Sequence, residues 1–237
     1  MLSGLPGASF ERRTGHARLL LPSVPIPVFN GVLVESEPVS GIAGSIEEVE
    51  TRGLRCGVQL RPEHHPAAEA EASRLGLTAR VTMPGMAVTA EGLVGATVGG
   101  LAIARVENEA GLADAAHVAA AGFETPLEIM RALYVPELLG LRGMAVYVGR
   151  VGGEPVTTAI GYRTGDELGI FSVATSPGHR RRGYGAAITA RTARSGLESG
   201  AEMAWLQTSA MGEPVYRALG FRHVASHTML TRPGPHD

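Results

Sequence analysis

From Leu101 onward, apolar and polar positions alternate first with a strand period and then with a helical one, and the switch repeats to the end of the chain. LAIARVE reads as a strand and GLADAAHVAAAGF as a helix ending at Gly122. PLEIMRALYVPELL, with Pro126 at its start, reads as a second helix. Three strands follow, GMAVYVGRV, EPVTTAIGYRT and ELGIFSVATS, turned by Gly152-Gly153 and Gly165-Asp166 as hairpins favour. The next helix runs from near Gly183 through Ser199, with Ala187, Ile188, Ala190 and Leu197 available for burial. MAWLQT is a strand, GEPVYRALG a short helix closed by Gly220, and FRHVASHTMLT a final long strand. This order predicts a mixed α/β domain of roughly 140 residues, a common domain size.

The N-terminal part repeats the later portion of the plan. PIPVFNGVLV resembles GIFSVAT, GSIEEVETRG reads as a helix, and RCGVQL resembles MAWLQT. AEAEASRLGL lines up with EPVYRALGF, and TARVTMPGMAV with RHVASHTML. Five matches in one order favour a diverged internal duplication, residues 20–90 against 165–231. AEGLVGATVGG, residues 90–100, reads as the connector, giving modules at 1–97 and 98–237.

Composition narrows the function classes. The chain has 237 residues, a 44% hydrophobic fraction and net charge −2, a packed protein without the basic excess of a general nucleic-acid binder. All 21 basic residues other than His are Arg, so lysine chemistry is excluded. The apolar runs are too short to span a membrane, and Glu11, Arg12 and Arg13 ahead of a very short apolar run do not make a signal peptide. The lone Cys56 lies in the strand-like RCGVQLR, where a buried apolar role is expected rather than a nucleophilic one. No intramolecular disulfide is available, and a reducing cytoplasm is the expected location.

The strongest local signal is VATSPGHRRRGYGAA, residues 173–187. A strand ends, a Pro-Gly turn follows, and Gly183-Tyr184-Gly185 opens a helix. Such a start exposes unpaired backbone N–H groups at the positive end of the helix dipole. Glycine lets that backbone approach a phosphate closely. Arg180, Arg181 and Arg182 add attraction and bidentate donors.

The same spacing resembles the signature of the GNAT N-acetyltransferase superfamily: Arg or Gln, two residues, Gly, one residue, then Gly or Ala. Arg180, Gly183 and Gly185 hold its fixed positions. A second family signature, a helix ending in Tyr-x-x-Leu-Gly-Phe, is matched by Tyr216, Leu219, Gly220 and Phe221. The resemblance covers roughly residues 98–237 and implies a mixed-sheet GNAT fold. It implies acetyl-CoA as cosubstrate, its pyrophosphate on the loop at 180–186, including Tyr184 and Ala186. It implies that Val173, Ala174 and Thr175, at the end of a splayed strand, bind the pantetheine arm and polarise the thioester carbonyl. Tyr216 would be the general acid for the leaving thiolate. Where the family often has an Asn seven residues before that Tyr, this chain has Ser209, which still offers a hydrogen bond to CoA.

The implied reaction is direct attack of an amine on acetyl-CoA within a ternary complex. The acceptor class is a small-molecule or peptide amine, and a homodimer is an open arrangement. No metal site is supported, since His64-His65 stands between prolines without Cys. The general base stays open among Glu167, Glu202, Glu213, each read first as a surface carboxylate, and a water chain. The N-terminal copy has SEPVSGIAG where the other has PGHRRRGYG, and Ala72 where the other has Tyr216. It is expected to be a degenerate GNAT-like module that lends packing surface or a pocket wall. A non-catalytic acyl-CoA sensor or structural partner, and a nucleotide-binding module, are the competing readings.

Overall fold

The computed structural model describes residues 5–234; the extremities of the two expected modules, 1–4 and 235–237, lie outside the described residues. The chain divides into two compact units, one of Gly85–Val224 and one of the residues up to Pro84 together with those from Ala225. The division therefore falls at 84/85 and again at 224/225, not at a single linear boundary near 97/98.

The N-terminal unit opens with a hairpin, β1 (Ser9–Arg13) and β2 (His16–Leu20), followed by β3 (Gly31–Val34), α1 (Ile42–Glu50), β4 (Gly57–Leu60) and α2 (Pro66–Arg74). The hairpin is absent from the apolar pattern because charge fills it. Arg13 and Arg18 pair with Glu11 and with Glu48 of α1, while Ala17 and Leu20 carry the burial. The segment PIPVF is a 3₁₀ turn over Pro27–Phe29 rather than strand, as two closely spaced prolines dictate. β2 is antiparallel to β3 and β3 parallel to β4. The last strand, antiparallel to β4, is β11 (Arg222–Thr231), from the far end of the chain. Val32, Val58, Leu60, Ile46, Val49, Leu77 and Leu230 form the core, with Cys56 buried beside them and its thiol pushed up to about 12 by burial.

Gly31 is the tightest point of this unit: a Cβ there would stand 1.8 Å from the Gly57 carbonyl oxygen. Gly31→Ala is expected to destabilise the protein by about 2 kcal/mol or more, read from a urea melt. Gly44→Ala, on α1 with nothing within 4 Å, should be neutral or stabilising by up to about 1 kcal/mol.

The second unit receives β5 (Ala79–Thr89), whose residues from Gly85 pair antiparallel with β10 (Met203–Gln207). Its own run is β6 (Leu101–Arg105), α3 (Glu109–Phe123), α4 (Leu127–Leu133), α5 (Glu137–Gly140), β7 (Met144–Val151), β8 (Glu154–Thr164), β9 (Glu167–Thr175), α6 (Tyr184–Glu198), β10 and α7 (Glu213–Ala218). The expected second helix is two, α4 and α5, because Pro136 cannot continue α4 and biases Val135 out of the helical region. The strand order is β5-β10-β9-β8-β7-β6, with β9 and β10 parallel and the other pairs antiparallel.

The two units share one plan. In each, a hairpin leads into a strand that pairs parallel with the next, and an antiparallel strand from the other part of the chain completes the set. The details agree at both helix ends. α1 and α6 each start from a left-handed glycine, Gly41 at φ 76° and Gly183 at φ 81°. α2 and α7 each end in a glycine at φ 89°, with Leu77 N–H donating to the Ala72 carbonyl and Phe221 N–H to the Tyr216 carbonyl, both at 3.0 Å.

Candidate active site

The site is built where β9 and β10 part. Their parallel ladder runs from Glu167–Met203 to Gly169–Trp205 and stops, while β9 continues six residues further to Thr175. On its other side β9 stays paired with β8 but carries a bulge: Ser172 and Val173 together oppose Ala159, between the Ile160–Phe171 and Thr158–Ala174 pairs. Ser172 adopts φ 53°, a left-handed conformation costly for a residue with a Cβ. Val173, Ala174 and Thr175, the positions named from sequence, lie at and beyond this bulge, past the end of the ladder with β10.

Thr175 is then led into the helix start. Its Oγ1 lies 3.0 Å from Thr157 Oγ1, and Thr157 Oγ1 also donates to the Ala174 carbonyl at 2.8 Å. A 3₁₀ turn over Pro177–His179 brings the chain to Arg181 at φ 61° and Gly183 at φ 81°. The first intrahelical bond of α6 is Ala187 N–H to the Gly183 carbonyl, so the N–H groups of Tyr184, Gly185 and Ala186 have no partner within the helix. A Cβ on Gly185 would meet Thr175 Oγ1 at 3.5 Å, so strand end and helix start enclose one shallow cradle. Tyr184 itself is buried, its ring 6.3 Å from that of His179.

The three arginines do not act alike. Arg181 and Arg182 are exposed beside the cradle. Arg180, the signature residue, turns the other way: its Nη2 donates to the Gly122 carbonyl at 2.7 Å and its Nη1 lies 3.7 Å from Glu124. It ties the loop to the C-terminal end of α3, whose carbonyls favour a cation. Gly122 makes that approach possible, since a Cβ there would come within 2.9 Å of Ala174 Cβ and 3.2 Å of the Thr175 backbone.

Tyr216 lies on α7, after β10. Its ring packs edge-on to Phe221 at 6.1 Å, and it borders the same apolar cluster as Val173 and Ala186. Strand end, helix start and tyrosine thus each pack against one apolar cluster. The phenol is half-buried, and burial pushes its pKa up to about 12, so it holds its proton at neutral pH. Ser209 is exposed in the turn before α7, where its Oγ accepts the Gly212 N–H at 3.2 Å.

The carboxylates are elsewhere. Glu167 and Glu202 sit exposed at the starts of β9 and β10. Eight strand steps at about 3.3 Å put Glu167 roughly 26 Å from Thr175. Glu213 is engaged by Arg217 through Nε at 2.8 Å. Two contributors had no local sequence signal. Tyr134, capping α4, donates from its buried hydroxyl to Ser172 Oγ at 2.7 Å, and Thr157 braces the strand end. Among the described residues no group of three or more His, Cys, Asp or Glu is placed to hold a metal. No helix among them is long and apolar enough to cross a membrane.

The N-terminal unit differs at the equivalent strand pair. β3 and β4 stay paired from Gly31–Gly57 to Leu33–Gln59, with one residue of each strand beyond. Glu37, in the segment after β3, accepts the Ala67 and Ala68 N–H groups at the start of α2 at 2.8 and 3.0 Å. His65 Nδ1 accepts the Arg61 N–H at 3.2 Å.

Residues 142–223 match the family model described as the acetyltransferase (GNAT) domain. A GCN5-related N-acetyltransferase from Kribbella flavida has a similar structure, with TM-score 0.73 and 21% identity over 97% of this chain and 91% of that one. A functionally unknown conserved protein from Staphylococcus epidermidis is similar at TM-score 0.72 and 15% identity, over 95% and 94% of the two chains. A tandem GNAT protein from the clavulanic acid biosynthesis pathway follows at TM-score 0.63 and 14% identity, over 98% and 86%. At these identities the likeness is one of fold. No curated protein matches the chain.

Proposed function

From a chain that carries a GNAT acetyltransferase domain in its C-terminal unit, with a mixed α/β fold shared by tandem GNAT structures, we propose an acetyl-CoA-dependent N-acetyltransferase with one active site. The observation that carries this reading is that three features border one apolar cluster: the bulged end of β9, the uncapped start of α6 and the protonated Tyr216. The free N–H groups of 184–186 with Arg181 and Arg182 suit a pyrophosphate. The open edge at Val173–Thr175 suits the pantetheine amides, and its N–H groups suit a developing oxyanion.

In the reaction, the neutral amine nitrogen bonds to the thioester carbon and the carbon–sulfur bond breaks. The amine loses one proton to solvent, and the CoA thiolate takes one from Tyr216 Oη, which is reprotonated from water. With Glu167 at the far end of β9 and Glu213 engaged by Arg217, positioning and the oxyanion contact supply most of the acceleration.

The N-terminal unit, residues up to Pro84 with those from Ala225, is on this proposal a degenerate GNAT-like module. Its β3 ends one residue past the parallel ladder, the segment leading into α1 carries no arginine, and Ala72 stands where a tyrosine would be needed. The acceptor is a small-molecule or peptide amine, with no role for nucleic acid, membrane or metal. The buried Cys56 and absence of disulfide pairs suit the cytoplasm. A homodimer is compatible with this organisation.

The test is calorimetry with acetyl-CoA, then a panel of amines assayed for thiol release. Acetyl-CoA is expected to bind with a dissociation constant of about 1 μM–1 mM and at least one amine to release CoA. Absence of binding would overturn the proposal. Binding without release by any amine would favour a non-catalytic acyl-CoA sensor.

A further inference from the structure

The bulge that opens β9 is held by a side chain from another element. Ser172 is the only bulge residue at positive φ, 53°, and it is a serine where glycine would be unstrained. Its hydroxyl receives the hydrogen bond of Tyr134, 2.7 Å away and 38 residues back in sequence. Tyr134 is 4% exposed, so its ring cannot swing away without emptying a core site. It sits at the C-cap of α4, with φ −90° and ψ 62°, between the helix and the Val135-Pro136 step, which fixes its backbone as well. The neighbouring strand shares the tyrosine, whose hydroxyl also interacts with the Thr158 side chain; Thr158 Oγ1 donates to the Tyr147 carbonyl at 2.9 Å, and Thr157 Oγ1 to the Ala174 carbonyl at 2.8 Å. The left-handed turn at Ser172 is therefore flanked by fixed backbone, and its one side-chain tether is the tyrosine.

We propose that Tyr134 is a positioning residue for the acyl site: through its hydrogen bond to Ser172 it holds the β9 bulge in the conformation that presents the Val173–Thr175 edge. It touches neither substrate nor cofactor. Without the tether, Ser172 relaxes toward the ordinary extended region, the bulge loses its aim, and the strand edge moves relative to the cradle at 184–186. The proposal rests on the acetyl-transfer reading for its effect on rate, and on geometry alone for its effect on the strand.

Two readouts separate these. In the protein without ligand, Tyr134→Phe is expected to speed amide hydrogen exchange at residues 171–174 by about tenfold or more, with β10 unchanged. Unchanged exchange at 171–174 overturns the proposal whatever the chain's activity. In turnover, Tyr134→Phe should lower kcat by about 10- to 100-fold while the acetyl-CoA dissociation constant stays within about twofold.

Ser172 supplies the decisive comparison. Ser172→Gly needs no tether at positive φ and should keep near-native kcat. Ser172→Ala, with a Cβ and no hydroxyl, should fall as Tyr134→Phe does. Adding Tyr134→Phe to Ser172→Gly should cost nothing further. A Ser172→Ala variant as active as Ser172→Gly, or a full second loss in the double variant, would sink the idea. If the wild type binds no acetyl-CoA, the acetyl-transfer reading has failed, and the exchange result still decides the tether.

Discussion

Tyr216→Phe is expected to lower turnover on a true amine acceptor by about 10²–10⁴-fold, the range typical of losing a general acid. The substitution removes one hydroxyl and keeps the ring that packs on Phe221, so fold stability and acetyl-CoA affinity should barely change. Burial raises the phenol to about 12, which leaves the protonated, donating form in place across the usual assay range. The acid is lost only as pH rises through that value, so Tyr216 should contribute no alkaline limb below about pH 11. The defect should shrink with an acyl donor whose leaving thiol is more acidic, because that group departs with less protonation. A Phe variant with native kcat on a good acceptor would reduce Tyr216 to a packing residue.

Gly185→Val should weaken acetyl-CoA binding by about 100-fold or more in a protein that still folds. Gly185 lies inside the first turn of α6 and its φ is not left-handed, so a side chain is conformationally allowed there. The nearest atom to an added Cβ is Thr175 Oγ1 at 3.5 Å, ordinary contact distance. The two methyl groups would then project into the cradle and keep a phosphate from the N–H groups of 184–186; losing two such charge-assisted bonds, at about 1.5–3 kcal/mol each, accounts for that magnitude. Gly183→Val is the less informative variant, since φ 81° penalises any side chain there independently of a ligand. Calorimetry on folded Gly185→Val checks the point; unchanged affinity would place the cofactor elsewhere.

The cradle was legible in the sequence because its chemistry is local. Arg180 through Ala186 are consecutive, and a glycine before a helical repeat has few structural uses. The Tyr216–Phe221 helix end was legible for the same reason: its glycine closure and backbone bonds lie within six residues. The internal repeat showed through as well, since each unit must bury the same alternation of strand and helix faces.

Other features needed the chain to fold back on itself. The β1–β2 hairpin is silent in the apolar pattern because Arg13 and Arg18 find their carboxylates on α1, some 30 residues away. A single boundary near 97/98 could not anticipate β5 and β11 completing strand sets with β10 and β4, because strand pairing has no sequence range. Arg180 read as a phosphate ligand, yet tertiary structure offers it the carbonyl end of α3 first. The left-handed turn at Ser172 is invisible in ELGIFSVATS, where serine is an unremarkable strand residue. What makes it a bulge is a hydroxyl from α4, supplied by packing alone. Sequence thus determined which backbone groups are free to bind an anion, since that depends on residues in succession. The aim of the strand that would hold the thioester was decided by tertiary structure, because the tether that sets it joins residues that only folding brings together.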